Sequence, residues 1–213
     1  MKRCYSAILL ALVCLGQSCA RRTFSAEPLP DATFDAMQGL SYKEGCPVPR
    51  EDLRLLHLSY IDFEGRSRTG EMVCNAAIAP DLLEIFEALY DARYPIASIR
   101  LVDEFGADDE RSMQADNSSC FNFRPVSGSR TLSKHSYGMA VDINPFENPY
   151  VRTSDGRTTV EPAGAKAYID RTSGLDHMID SDDLCCRLFK EHGFVWGGDW
   201  KSVKDYQHFE KGK

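Results

Sequence analysis

The sequence predicts an α+β fold: a small antiparallel sheet with flanking helices. Two observations carry this. Strand-like runs come in neighbouring pairs that can close as hairpins, and the two amphipathic stretches lie far apart, at 80–94 and 182–192. A doubly wound sheet would instead alternate single strands with helices. The chain has 213 residues, 43% of them hydrophobic and 27% charged, which suits one packed core.

Residues 1–20 read as an export signal rather than as part of the fold. Lys2 and Arg3 give a positive start, Ala7 to Leu15 is an apolar run too short to span a bilayer, and Ser18-Cys19-Ala20 offers a small-x-small cleavage site. Leu15 to Cys19 also resembles a loose lipoprotein signal, in which Cys19 would carry a lipid anchor and supply the one contact with a membrane. Either reading puts the protein outside the cytoplasm, in the periplasm or envelope or secreted. Residues 21–45 are polar, with Pro28 and Pro30, and read as a linker or N-terminal arm. That leaves 46–213 as the folded domain.

The elements follow in order. Leu55 to Ala76 holds two β-like runs around Glu64-Gly65-Arg66-Ser67, a hairpin. Pro80 to Tyr94 is an amphipathic helix: proline suits its first turn, and Leu82, Ile85, Phe86 and Leu89 form an apolar stripe. Ile96–Val102 and Phe121–Val126 read as strands, and the acidic, aperiodic 103–119 between them as a loop. Val141–Asn144 ends another strand, and 148–164 reads as loop. Asp182–His192 is a helix stopped by Gly193. Phe194–Trp200 and Tyr206–Phe209 read as final strands.

The net charge of −7 offers no basic footprint for nucleic acid. Five cysteines lie beyond the signal: Cys46, Cys74, Cys120, Cys185 and Cys186. Export permits disulfides, and an odd number leaves at least one thiol unpaired within the chain. No CxxC pair occurs, which argues against a thiolate zinc site.

The chemistry concentrates in Ser133-Lys134-His135-Ser136-Tyr137-Gly138-Met139-Ala140-Val141-Asp142-Ile143. In a strand, Gly138, Ala140 and Asp142 share one face, so the Asp142 carboxylate has small neighbours and free space beside it. Gly138 lets the chain turn and bring His135 over that space. A histidine and a carboxylate meeting there are reasonable metal ligands. The C-terminal Asp205-Tyr206-Gln207-His208-Phe209-Glu210 supplies His208 as a third ligand and Asp205 as a base for a water in the open fourth position. His57, His177 and His192 have no such setting and read as ordinary polar residues. Trp196 reads as packing, Trp200 as packing or groove, and Tyr137 and Tyr150 as possible cleft walls.

SKHSYGMAVDI and DYQH match the SxHxxGxAxD and (D/E)xxH signatures of the zinc D-Ala-D-Ala carboxypeptidase family, which includes VanY-like D,D-peptidases and L-alanyl-D-glutamate endopeptidases. FNFRPV, DINPFENPY, GFVWGGDW and DYQHFE extend the resemblance over Cys46 to Glu210. It implies a scaffold like that of the Hedgehog signalling domain, Zn2+ held by His135, Asp142 and His208, and Asp205 as proton shuttle. It further implies Arg124 as the arginine that contacts a substrate carbonyl or carboxylate, Ser133 as a residue orienting His135 or the substrate, and peptidoglycan stem peptides as the substrate of a monomeric enzyme. Ten residues lie between Arg124 and His135, where many relatives carry a longer helical insertion. Carboxypeptidase and endopeptidase activities both fit. A non-catalytic zinc-bearing binding module on the same scaffold is the alternative, and the presence of Asp205 favours the enzyme.

Overall fold

The computed structural model describes residues 22–212. The expected export signal and the expected lipidation at Cys19 fall outside the described residues. Strand β1 (Phe24–Pro28) and helix α1 (Asp31–Met37) come first, then β2 (Leu53–Ile61), β3 (Ser67–Asn75) and helix α2 (Ala79–Asp91). The next elements are short: β4 (Ser98–Ile99), helix α3 (Asp109–Gln114), β5 (Asn117–Ser118) and β6 (Ala140–Asp142). A hairpin β7 (Tyr150–Ser154) and β8 (Arg157–Glu161), helix α4 (Leu184–Glu191), and strands β9 (Val195–Trp196), β10 (Lys204–Asp205) and β11 (His208–Glu210) complete the chain. The architecture is mixed, with three small antiparallel sheets ordered β1-β2-β3, β10-β7-β8 and β6-β11-β9, and a parallel two-residue pair β4-β5. Among the described residues no helix is long and apolar enough to cross a membrane.

Helix α2 buries the stripe that its sequence predicts: Leu82, Ile85, Phe86 and Leu89 are all at most 1% exposed. Together with Leu56, Leu58 and Met72 of the β2–β3 hairpin, they form a core that continues through α4 into the last strands. There Phe189 stacks on Phe209 at 4.3 Å between ring centroids and meets Phe194 edge-on. Phe209 lies between His208 and Glu210, so the core holds the strand on which the site is built. Trp196 is core, as its sequence context predicts; its Nε1 donates to the Tyr206 carbonyl at 2.8 Å.

Several segments differ from expectation. The segment read as a linker or arm is built into the fold over its described part. β1 pairs antiparallel with β2, from Phe24 against Leu58 to Pro28 against Arg54. Leu29 and Met37 are buried in a second apolar cluster with Leu53, Leu55 and Phe121. Phe34 and Tyr42 of the arm pack against the same cluster, and prolines are tolerated on an edge strand. The loop at 103–119 contains α3, started by Asp108, whose Oδ1 accepts from the Arg111 amide at 3.0 Å. The loop at 148–164 contains the β7–β8 hairpin, turned by Asp155 and Gly156, both at positive φ. Residues 121–126 form no strand. Their backbone bonds go one by one to Val73, Ser41 and the Ser136 side chain. The expected strand at 96–102 is confined to Ser98–Ile99.

Candidate metal and catalytic site

Strand register brings the first pair together. β11 runs antiparallel to β6 with His208 directly opposite Asp142, so their side chains project side by side on one face. His135 arrives from a 3-10 turn, Lys134–Tyr137. Ser133 starts that turn, its Oγ accepting from the His135 amide at 3.3 Å. Gly138 ends it in the left-handed region at φ +63°, the bend read from the sequence. Gly138 is small for a different reason than the one expected. A Cβ there would stand 2.7 Å from the Asn75 amide nitrogen, and the Gly138 carbonyl accepts from that amide at 2.9 Å. The glycine therefore locks the turn against β3 and does not clear space beside Asp142.

His135, Asp142 and His208 are all buried, and each offers one ligand atom within 4.8 Å of the others. The outer ring nitrogens decide what faces inward. His135 Nδ1 lies 2.6 Å from the Cys120 carbonyl oxygen, which can only accept, so the proton sits on Nδ1. His208 Nε2 lies 3.2 Å from Glu210 Oε2, and the Glu210 carboxyl is held below its ordinary range chiefly by that contact. With both outer nitrogens donating, His135 Nε2 and His208 Nδ1 turn lone pairs towards each other at 3.2 Å, each 3.0 Å from an Asp142 oxygen. Acceptors converging without donors between them call for a cation. Protons can serve that need in part. Burial alone would lower the His208 pKa, but hydrogen bonds to Asp142 and Glu210 outweigh it and raise it to about 10. The pair of histidines likewise overcomes burial at Asp142 and holds its carboxyl far below the usual range. Two imidazoles and a carboxylate, with a fourth side open to a cleft, match the donor set of a catalytic zinc site.

The three ligand candidates line one wall of a cleft of about 210 Å³, which Asp205, Arg124 and Ser133 also line. Asp205 is carried on β10 opposite Tyr150 of β7. Its Oδ1 is buried without a hydrogen-bond partner, and burial raises its pKa to about 7. Gly197 permits this placement, since a Cβ there would stand 2.5 Å from the Asp205 carbonyl oxygen. Arg124 enters from the extended 121–126 segment. The Ser136 hydroxyl accepts from the Arg124 amide at 3.0 Å and donates to its carbonyl at 2.6 Å. The Arg124 guanidinium pairs with Asp109 of α3 at 2.7 Å, and its Nε is buried without a partner. Trp200 lines the cleft, its ring 5.3 Å from that of His208, and Tyr150 lines it as well. Tyr137 lines a separate cavity.

His57, His177 and His192 stand apart from the cleft. His57 sits between Glu27 and Glu71, His177 stacks on Phe63, and His192 reaches Glu84. All five cysteines beyond the signal are free thiols. Three contributors escaped sequence reasoning. Glu210 and His208, two residues apart on a strand, share a face, and that spacing was a usable signal. Ser136 and Asp109 act through tertiary contacts that no local pattern announces.

The profile of a family described as D-alanyl-D-alanine carboxypeptidase matches residues 127–211, a span that holds His135, Asp142, Asp205 and His208. The chain is also 26% identical over 161 residues to the peptidoglycan L-alanyl-D-glutamate endopeptidase CwlK of Bacillus subtilis (strain 168), covering 73% of this chain and 87% of that protein. No solved structure matches. The resemblance drawn from the paired motifs is thus shown by two independent comparisons.

Proposed function

We infer that the chain is a zinc peptidase of the D-alanyl-D-alanine carboxypeptidase family, exported from the cytoplasm and acting on the stem peptides of peptidoglycan. The observation that carries this reading is the inward convergence of His135 Nε2, Asp142 and His208 Nδ1 beside the unpartnered carboxylate of Asp205. The scaffold is then of the D-Ala-D-Ala-peptidase and Hedgehog type, and residues 22–212 form one catalytic domain that includes the N-terminal arm.

His135, Asp142 and His208 hold the metal, and Glu210 and the Cys120 carbonyl fix the ring tautomers that permit it. When bound, zinc supplies Lewis-acid chemistry, polarising a carbonyl and lowering the pKa of water to about 7. Asp205 is the base. Its carboxyl, raised to about 7 by burial, accepts a proton from the attacking water and returns it to the departing amine. Arg124 donates to a substrate carbonyl and stabilises negative charge as it develops there. Ser133 holds the turn that carries His135. Trp200 walls the cleft beside His208 and helps to exclude water.

The test uses purified mature protein and peptidoglycan fragments, with products identified by mass spectrometry and metal content measured alongside. Wild type should release stem-peptide fragments, and Asp205→Ala should bind metal without cutting. If both proteins hold zinc and neither cuts any stem peptide, the enzyme reading fails and a binding module on this scaffold takes its place.

A further inference from the structure

We propose that Asp109 is a specificity-determining residue of the cleft: by pairing with Arg124 it reserves the guanidinium for a neutral peptide carbonyl and turns away a free carboxylate. The proposal rests on the peptidase reading above and selects, within it, cleavage of internal bonds.

Arg124 has few donors left to offer. Its Nη2 lies 2.7 Å from Asp109 Oδ2, and its Nη1 reaches the Pro125 carbonyl at a long 3.4 Å. Its Nε is buried with no partner. A guanidinium clamps a carboxylate through two parallel N–H groups. Both of its forks, Nε with Nη2 and Nη1 with Nη2, use Nη2, and the contact with Asp109 takes one of that nitrogen's two N–H groups. A second carboxylate would share that nitrogen, meet a neutralised cation, and stand close to a like charge. A carbonyl oxygen avoids all three penalties. It needs one donor, and the unspent Nε–H is that donor, whose burial without a partner is otherwise costly.

The rest of the cleft points the same way. Beyond the ligand Asp142, its lining carries Asp109, Glu161, Asp205 and Glu210 against Arg124 and Lys134. With Asp142 and the dication of the peptidase reading counted as well, the lining offers no surplus of positive charge to hold a terminal carboxylate. Asp109 is also fixed in place. It is the first residue of α3, whose Ser112 and Met113 are buried and whose Ser112 Oγ accepts from Asn117 Nδ2 at 3.1 Å. A carboxylate on so anchored a turn does not swing aside for an incoming ligand.

The experiment measures binding of N-acetyl-D-alanine, a small ligand with one free carboxylate, to the zinc-loaded full chain by calorimetry. Wild type should bind it no better than millimolar. Asp109→Asn should tighten binding about tenfold or more, the size of a recovered charge-assisted pair. Asp109→Glu should bind like wild type, and adding Arg124→Gln to Asp109→Asn should abolish the gain. The proposal is overturned if Asp109→Asn binds no tighter, or if the gain survives Arg124→Gln. Micromolar binding by wild type overturns it without any variant, so a misfolded substitution leaves the test standing. Hydrolysis of stem peptides, assayed in parallel, separates the two readings: no hydrolysis overturns the peptidase assignment, whereas the binding series reads Asp109 either way.

Discussion

Replacing Glu210 tests the logic of the metal site at one remove from the ligands. Glu210 Oε2 accepts from His208 Nε2 at 3.2 Å, and this contact keeps the Nδ1 lone pair pointed at Asp142 and His135. In Glu210→Ala the His208 proton can move to Nδ1 and the ring can turn, so binding a metal must first restore both. Loss of such an outer partner weakens metal binding about 10- to 100-fold, or about 1.4 to 2.7 kcal/mol. A mere surface ion pair would contribute at most about 1 kcal/mol, about fivefold. Glu210→Gln can still accept through its amide oxygen and should lose less than the alanine variant. The assay is competition for zinc against a chromogenic chelator at fixed pH. The apo proteins are melted in parallel, because Glu210 is half-buried at the end of β11 and its loss should leave the fold intact. Zinc affinity in Glu210→Ala within twofold of wild type would refute the claim that Glu210 sets the His208 tautomer.

Asp205→Asn should lower kcat about a hundred- to ten-thousand-fold while keeping the metal, as measured on a stem-peptide substrate. Because Asp205 works as a base only when ionised, and burial raises its pKa to about 7, kcat/KM should fall as pH drops through and below neutrality; the bound dication moves that limb to lower pH. Gly197→Ala would put a methyl group 2.5 Å from the Asp205 carbonyl oxygen and must displace β10, so kcat should fall about a hundredfold with metal content unchanged. Phe189→Ala removes a fully buried ring stacked on Phe209 and should cost about 3–5 kcal/mol in denaturant unfolding.

Much of this molecule was legible in its residues, and the exceptions have physical causes. Helix α2 announced itself because Leu82, Ile85, Phe86 and Leu89 repeat at helical spacing against one core. The β2–β3 hairpin was legible too, since β2 buries most of its residues. The β7–β8 hairpin was not, because most of its side chains are exposed and no apolar alternation marks it. Only Asp155-Gly156, a favoured pair for a tight hairpin turn, could have revealed it. Helix α3 spans Asp109–Gln114, too short for a periodic stripe, so Asp109 was hidden inside an apparent acidic loop. The arm at 22–45 looked like a linker because its fully buried apolar residues, Leu29 and Met37, stand among polar neighbours with no strand or helix period to mark them. At the site, the motif residues came together as anticipated: Asp142 and His208 by register, His135 by the turn at Gly138. What surrounds them was invisible. Ser136 clasps the backbone of Arg124, and the Cys120 carbonyl holds His135; both are tertiary contacts between segments distant in sequence.

His135, Asp142 and His208 are proposed to bind one zinc ion through their inward-facing atoms. Metal content of the purified protein, measured by inductively coupled plasma mass spectrometry after equilibration with one equivalent of zinc, tests it most directly. About one zinc per chain is expected in wild type and in Asp205→Asn, with its loss in His135→Ala, Asp142→Ala and His208→Ala, since each removes one of the three proposed ligands. Full zinc retention in His208→Ala, with the fold intact, would contradict it.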